Sequence, residues 1–217
     1  MNLNEILNTF NLLIGDKLPN REDLTPERFE ELLKVASLSH FEKEVDREHW
    51  GNLRPFRVSM GDDYTQPLVI DSDGHADIPT GFRKAISMIY KYQDGSKIRE
   101  KVCRIVDDEL YDELTASATE YPTLNYPICN IQDGYFRFRP RNLRYMSFVY
   151  VKYPTDPHFA YTIDRGFVEY DPDNSVELEW DENNQISVIE TMVKSLGMSV
   201  SRQEVEQAAE QTKQNTK

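Results

Sequence analysis

Asp71, Asp73 and Asp77 set carboxylates at alternate positions around Gly74, as a calcium-binding loop does. That loop also needs a bidentate glutamate at its twelfth position, and the twelfth residue from Asp71 is Phe82. The segment therefore reads as a β-turn carrying solvated acids. The four histidines, His40, His49, His75 and His158, fall in neither an HxH nor an HExxH pattern, so no zinc site is expected. A serine or cysteine nucleophile needs an adjacent base and an orienting third group. There is no G-x-S-x-G, and Cys103 and Cys129 lie in apolar strand-like segments where a thiol is inert core. No catalytic residue, metal or cofactor is expected.

Two charge clusters remain. Arg137, Arg139, Arg141 and Arg144 interleave with Phe136 and Phe138, so the rings are expected to face the core and the arginines outward. Such a strip suits phosphate, a solvated strand face, or an acidic neighbouring subunit. The acidity of the chain favours subunit pairing. Tyr153 and Val205 complete the candidates for subunit contact. The second cluster is Glu169, Asp171, Asp173, Glu177, Glu179, Asp181 and Glu182. It suits a divalent ion, a solvated face, or a surface that keeps nucleic acid from adhering.

The elements that must carry these residues follow from periodicity. Leu3, Ile6, Leu7, Phe10, Leu13 and Ile14 share one helical stripe that stops at Gly15. Thr25 and Pro26 open a second helix with Phe29, Leu32, Leu33 and Ala36 on one face. Short strands are expected at 56–60 and 67–70. A third helix is expected from Pro79 to Tyr92, on Phe82, Ile86 and Ile89, then a strand over 98–106. Asp107 caps a short acidic helix. The proline-punctuated block from Tyr121 to Pro157 reads as an antiparallel hairpin or meander, with Tyr135–Arg139 and Tyr145–Tyr153 alternating at a period of two. It holds no nucleophile or phosphate loop and reads as a scaffold that meets other protein. Strands are expected at 161–163, 167–170 and 176–180. A helix on Ile186, Ile189, Val193 and Leu196 ends at Gly197, and a Ser201–Glu204 capping box opens the last one. That last helix has a thin stripe, so it is expected to order only against a partner, with residues 211–217 disordered.

The expected fold is α+β: a helical bundle from the N- and C-terminal helices with an inserted antiparallel β-sheet or sandwich. The regions are 1–95 mainly helical, 96–181 β-rich, and 182–217 helices and a polar tail. The chain has 217 residues, 38 acidic against 25 basic, and a net charge of -13. That sign disfavours gripping a phosphate backbone, which needs lysine and arginine. Two lone cysteines suit a reducing compartment, and neither an export signal nor a membrane span is expected.

The residues now in view form a pattern: Y-P-T…Y-P-I-C, then G-Y-F-R-F-R-P, then V-Y-V-K-Y-P-x-x-P. E-L-E-W-D-E-N-N-Q-I-S-V-I-E-T and L-G-M-x-x-x-R-Q-E-V close it. This resembles the ring proteins of the head-to-tail connector of tailed bacteriophages, especially crAss-like phages of gut Bacteroidetes. The likeness spans roughly the C-terminal half. It implies a non-enzymatic virion protein, assembled in the host cytoplasm, forming a ring below the portal. The ring would follow the portal's twelve-fold symmetry and surround the DNA channel, which DNA passes without specific binding. Its partners would be other copies of itself, the portal and the adjacent neck or tail rings. Glu169, Asp171, Asp173, Glu177 and Glu179 are the candidates for the channel wall. Two other readings stay open: a soluble tail-assembly or host-interaction module, and a metal-dependent enzyme using the acidic loops.

Calcium at millimolar concentration is expected to leave the melting temperature unchanged. A rise of many degrees in a thermal scan would contradict the turn reading, because an ion bound to the native state stabilises it by mass action.

Overall fold

The computed structural model describes residues 1–15, 25–61, 66–94, 97–132, 134–165 and 167–215. The fold is α+β. The chain divides into two units, residues 1–55 with 154–217, and residues 56–153. This replaces the expected division at 95 and 181: the β-rich insert begins near residue 56 and the helical unit resumes at 154.

The helical unit holds α1 (Leu3–Ile14), α2 (Pro26–Asp46), α4 (Glu182–Ser195) and α5 (Arg202–Asn215). Each start has its own cap. Asn2 accepts from the Glu5 amide at 2.8 Å, Thr25 from Arg28 at 3.3 Å, and Asp181 from Asn184 at 2.9 Å. Ser201 and Glu204 form the expected reciprocal box, at 3.3 and 2.7 Å. Each cap satisfies amides that the first helical turn leaves without partners.

α1 packs on α5 and α4, and α2 packs on α4. Leu3, Ile6 and Phe10 of α1 are fully buried, as are Phe29 and Leu33 of α2. α5 is part of this core: Val205 is 0% exposed, Ala208, Ala209 and Thr212 are buried, and Thr9 donates to Thr212 at 3.2 Å. So the last helix packs within its own chain, the helix continues through 211–215, and Val205 is unavailable to a neighbouring subunit. Residues 216–217 lie outside the described residues.

A two-stranded hairpin, β10 (Tyr161–Asp164) and β11 (Phe167–Tyr170), belongs to this unit. Phe159 anchors its base, edge-on to Phe29 at 5.5 Å and stacked on Tyr170 at 5.1 Å. The strand expected at 176–180 is absent. Val176 makes one isolated bridge to His158, while Trp180 turns inward to donate to Ser37 at 3.0 Å. Burying the indole with its N–H satisfied outweighs the local alternation.

The inserted unit is a sandwich. One sheet runs β1 (Arg57–Met60), β9 (Tyr145–Lys152), β4 (Phe82–Asp94), β5 (Lys97–Val102), with β2 (Leu68–Val69) also on β9. The other runs β3 (His75–Asp77), β8 (Tyr135–Arg139), β7 (Ile128–Gln132), β6 (Arg104–Val106). β6 and β7 pair in parallel, and every other pair is antiparallel. The block read as one meander is thus shared: β7 and β8 form a hairpin in one sheet, and β9 is central in the other. α3 (Asp108–Ala116) lies beside β7.

Aromatic rings join the two sheets. Phe136 of β8 meets Phe148 of β9 at 5.2 Å and Phe82 of β4 at 5.4 Å, both edge to face. Edge-to-face pairs add about 0.5–1.5 kcal/mol each beyond the area they bury.

The helix expected from Pro79 to Tyr92 is strand β4. Two register shifts, between Phe82 and Lys84 and between Ala85 and Ser87, interrupt its pairing with β9. They put Phe82, Ala85 and Met88 opposite Lys152, Tyr150 and Phe148, on one face. A bulge inserts one residue into a strand, so the inward set recurs every three residues and is not the helical stripe Phe82, Ile86 and Ile89. Pairing on both edges, with β9 and β5, decides for strand.

Phe136→Ala is expected to cost about 3–5 kcal/mol, the range for truncating a buried phenylalanine. Urea unfolding followed by near-ultraviolet circular dichroism reads it. A loss below about 1 kcal/mol would show that the sheets are held elsewhere.

Candidate functional site

The arginine strip is turned to the chain's own helix. Phe136 and Phe138 are 0% exposed and face the core, and Arg137 and Arg139 alternate outward as expected. Over them lies Tyr111 of α3. The Arg137 guanidinium sits 4.0 Å from the centre of that ring and pairs with Asp112 at 3.2 Å. Arg139 lies 5.7 Å over the same ring and donates to the Phe138 carbonyl at 2.8 Å. A guanidinium over an aromatic face is attracted by the ring quadrupole. Burial pushes the Tyr111 phenol up, against the opposing pull of Arg139 and Arg137. Arg141 and Arg144 are exposed, and Arg144 reaches the Asp71 carbonyl at 3.4 Å. Tyr153 is 42% exposed with Arg83 at 6.0 Å over its ring. Of these candidates, Arg141, Arg144 and Tyr153 face solvent, whereas Arg137 and Arg139 clamp α3.

The acidic run divides in the same way. Glu177 accepts from the Leu3 amide at 2.8 Å and from the Tyr170 hydroxyl. Glu179 accepts from the Thr155 amide at 2.8 Å. Asp171 accepts from the amides of Asp173 and Asn174, and from the Asn174 side chain at 2.7 Å. The Asn174 bond is the main reason its carboxyl sits below the usual range. Burial and the bond to Glu177 push the Tyr170 phenol up to about 12. These three carboxylates hold backbone. Glu169 and Asp173 are exposed. Among the described residues no three metal-ligating side chains come together.

The turn at Asp71 is closed on itself. Its carboxylate accepts from the amides of Asp73 at 2.9 Å and His75 at 2.8 Å. Gly74 has φ +86, and a Cβ there would stand 2.8 Å from the Phe138 carbonyl. Cys103 and Cys129 are buried free thiols, and burial pushes Cys103 up to about 12 and Cys129 higher still. A thiol so protonated is no nucleophile.

One site escaped sequence reasoning. Between α2 and α4 lies a polar groove of about 650 Å³. Its floor is a buried polar network. Glu44, 4% exposed, accepts from Asn52 at 2.6 Å and bonds His49 at 3.0 Å. His40 bonds Asn184 at 3.0 Å and lies 4.8 Å from the Trp180 ring. The walls carry Lys43, Arg47, Lys194 and Arg202 against Glu44 and Glu190. Burial pushes the Glu44 carboxyl up. Hydrogen bonds from Asn52 and His49, with the charge of His40 and His49, outweigh that and hold it below the usual range. A signal existed in the sequence, since His40, Glu44, Arg47 and Lys43 break the apolar stripe of α2 on one side. Nothing there named the second wall, which lies more than a hundred residues away.

No helix among the described residues is long and apolar enough to cross a membrane. No protein-family model matches the chain, and no curated protein matches it in sequence.

Glu44 makes stability depend on pH. Its folded pKa is depressed below the ordinary 4.5, so its contribution is fully present above pH 4.5 and is lost as pH falls through the lower folded value. Glu44→Gln is expected to cost about 1–3 kcal/mol at pH 7 and to flatten the acid side of the stability profile. Thermal scans from pH 3 to 7 read both effects. An unchanged acid limb in the variant would remove Glu44 from this role.

Proposed function

We propose that this chain is a structural subunit of the head-to-tail connector of a tailed bacteriophage, forming or joining a closed ring below the portal. The observation that carries the reading is where the resembling residues lie. Pro122, Pro127 and Pro157 are buried, and β7, β8 and β9 supply strands to both sheets of the sandwich. In the closing segment Trp180 and Asn184 anchor α4 on α2 through Ser37 and His40, and Asp181 caps α4. The buried members of the pattern are thus framework residues in both units, whereas Tyr121, Tyr126 and Tyr153 stand exposed.

Charge supports the same reading. A net charge of -13 repels a phosphate backbone, which suits a conduit through which DNA passes without adhering. Glu169 and Asp173 have the exposure a channel wall needs. Ile163 and Val168, partners across the β10–β11 hairpin and 69% and 47% exposed, share one face, and Phe167, 75% exposed, stands on the other; an assembly would cover such apolar surface. Head-to-tail contacts between unlike patches close into a ring when the rotation permits. In this reading the protein resides in the virion and, before assembly, in the host cytoplasm.

Negative-stain imaging of the purified chain, alone and mixed with the portal, tests the proposal. Closed rings, or an added ring on the portal, are expected. A chain that ignores the portal and is missing from purified virions sinks the proposal. One that binds tail proteins yet is left out of finished virions would instead be an assembly module.

A further inference from the structure

Resting on the ring reading, we infer that the groove between α2 and α4 is a subunit contact, and that it receives the acidic face of α3 from a second copy of this chain. The groove has the wrong sign for the protein that contains it. Four of its lining side chains are lysine or arginine and two are glutamate, in a chain of net charge -13. Lys194 is paired with Glu190, and Arg202 with Glu206 at 2.9 Å. Lys43 and Arg47 are exposed and carry no ion pair among the described residues. Two identical acidic bodies repel each other, so their contact must include the surface where the sign reverses.

α3 is the complement. Tyr111 turns its other side inward against Val106 and Ile128, with Leu110 and Leu114 beside it. That leaves Asp108, Glu109, Asp112 and Glu113 exposed together on the opposite face, a consequence of helical spacing. Asp112 is taken by Arg137, and the other three carboxylates are unpaired among the described residues. The lengths agree. α3 spans Asp108–Ala116, about 14 Å, and the α4 wall from Asn183 to Lys194 spans about 16 Å. The groove belongs to the helical unit and α3 to the sandwich. The contact therefore joins unlike patches and propagates head to tail, as a ring requires.

The test uses two charge-reversed full-length chains, Lys43→Glu with Arg47→Glu, and Glu109→Lys with Glu113→Lys. All four positions are exposed, and melting temperatures near wild type confirm folding; the corresponding glutamine variants replace any chain that fails this check. Sedimentation at about 50 mM salt, where screening is weak, reads self-association. Each variant alone is expected to lose it roughly tenfold or more. Mixed together, the acidic α3 of the first meets the intact groove of the second, and the lysine-bearing α3 of the second meets the glutamate-bearing groove of the first, so the mixture is expected to regain the association that neither variant shows alone. Variants that associate like wild type overturn the inference, as do variants that remain single when mixed. A wild-type chain that stays single at high concentration also overturns it. The ring reading is judged separately, because a chain that is single alone but still joins the portal keeps the ring and loses this contact.

Discussion

Arg57 stands opposite Val151 where β1 pairs with β9, and the rest of the architecture depends on that pairing. β1 is the first strand of the inserted sandwich and β9 the last. Residues paired across antiparallel strands lie about 5 Å apart, so the insert leaves the helical unit and returns to it through one narrow neck. Proline stands at each side, Pro55 before β1 and Pro154 after β9, where a missing N–H ends the ladder. For the helical unit, the whole sandwich is then equivalent to a short closed loop. Joining α2 to α4 through it costs little more entropy than a turn would, because the chain between them is already ordered.

Charge in this protein serves three purposes that composition cannot separate. Some acids accept backbone hydrogen bonds, as Glu177 does from Leu3 and Glu179 from Thr155. Some cations clamp an aromatic ring, as Arg137 does over Tyr111. The remainder stay in solvent and set the long-range field. Only this last group is open to a partner. It is smaller than the clusters suggest, and its positive members include Lys43 and Arg47 on the groove as well as Arg141 and Arg144 at the end of the arginine strip.

What was legible in the sequence was local. Thr25–Pro26, Asp107 and Ser201–Glu204 announce helix starts because a cap is a chemical requirement met within four residues. Phe136 and Phe138 announce an inward face because β8 is regular. Strand β4 was illegible because Phe82, Ile86 and Ile89 fall at helical spacing, whereas the inward set its bulges create is Phe82, Ala85 and Met88; only the partner strands decide. Val205 read as exposed because a thin stripe says nothing of the complementary stripe on α1, two hundred residues earlier. The α2–α4 groove was illegible for a related reason: each wall alone looks like an ordinary solvated helix face, and the two become a site only when folding sets them side by side.

Cys103 sits between β5 and β6, where the chain crosses from one sheet to the other, and Cys129 lies in the neighbouring strand β7. Both thiols are sealed and held protonated by their surroundings. An alkylating reagent must therefore wait for the sheets to part. The rate at which these two sulfurs are modified is a clock for the breathing of the sandwich. In any assembly that clamps the sheets, that clock slows without any change to the cysteines themselves.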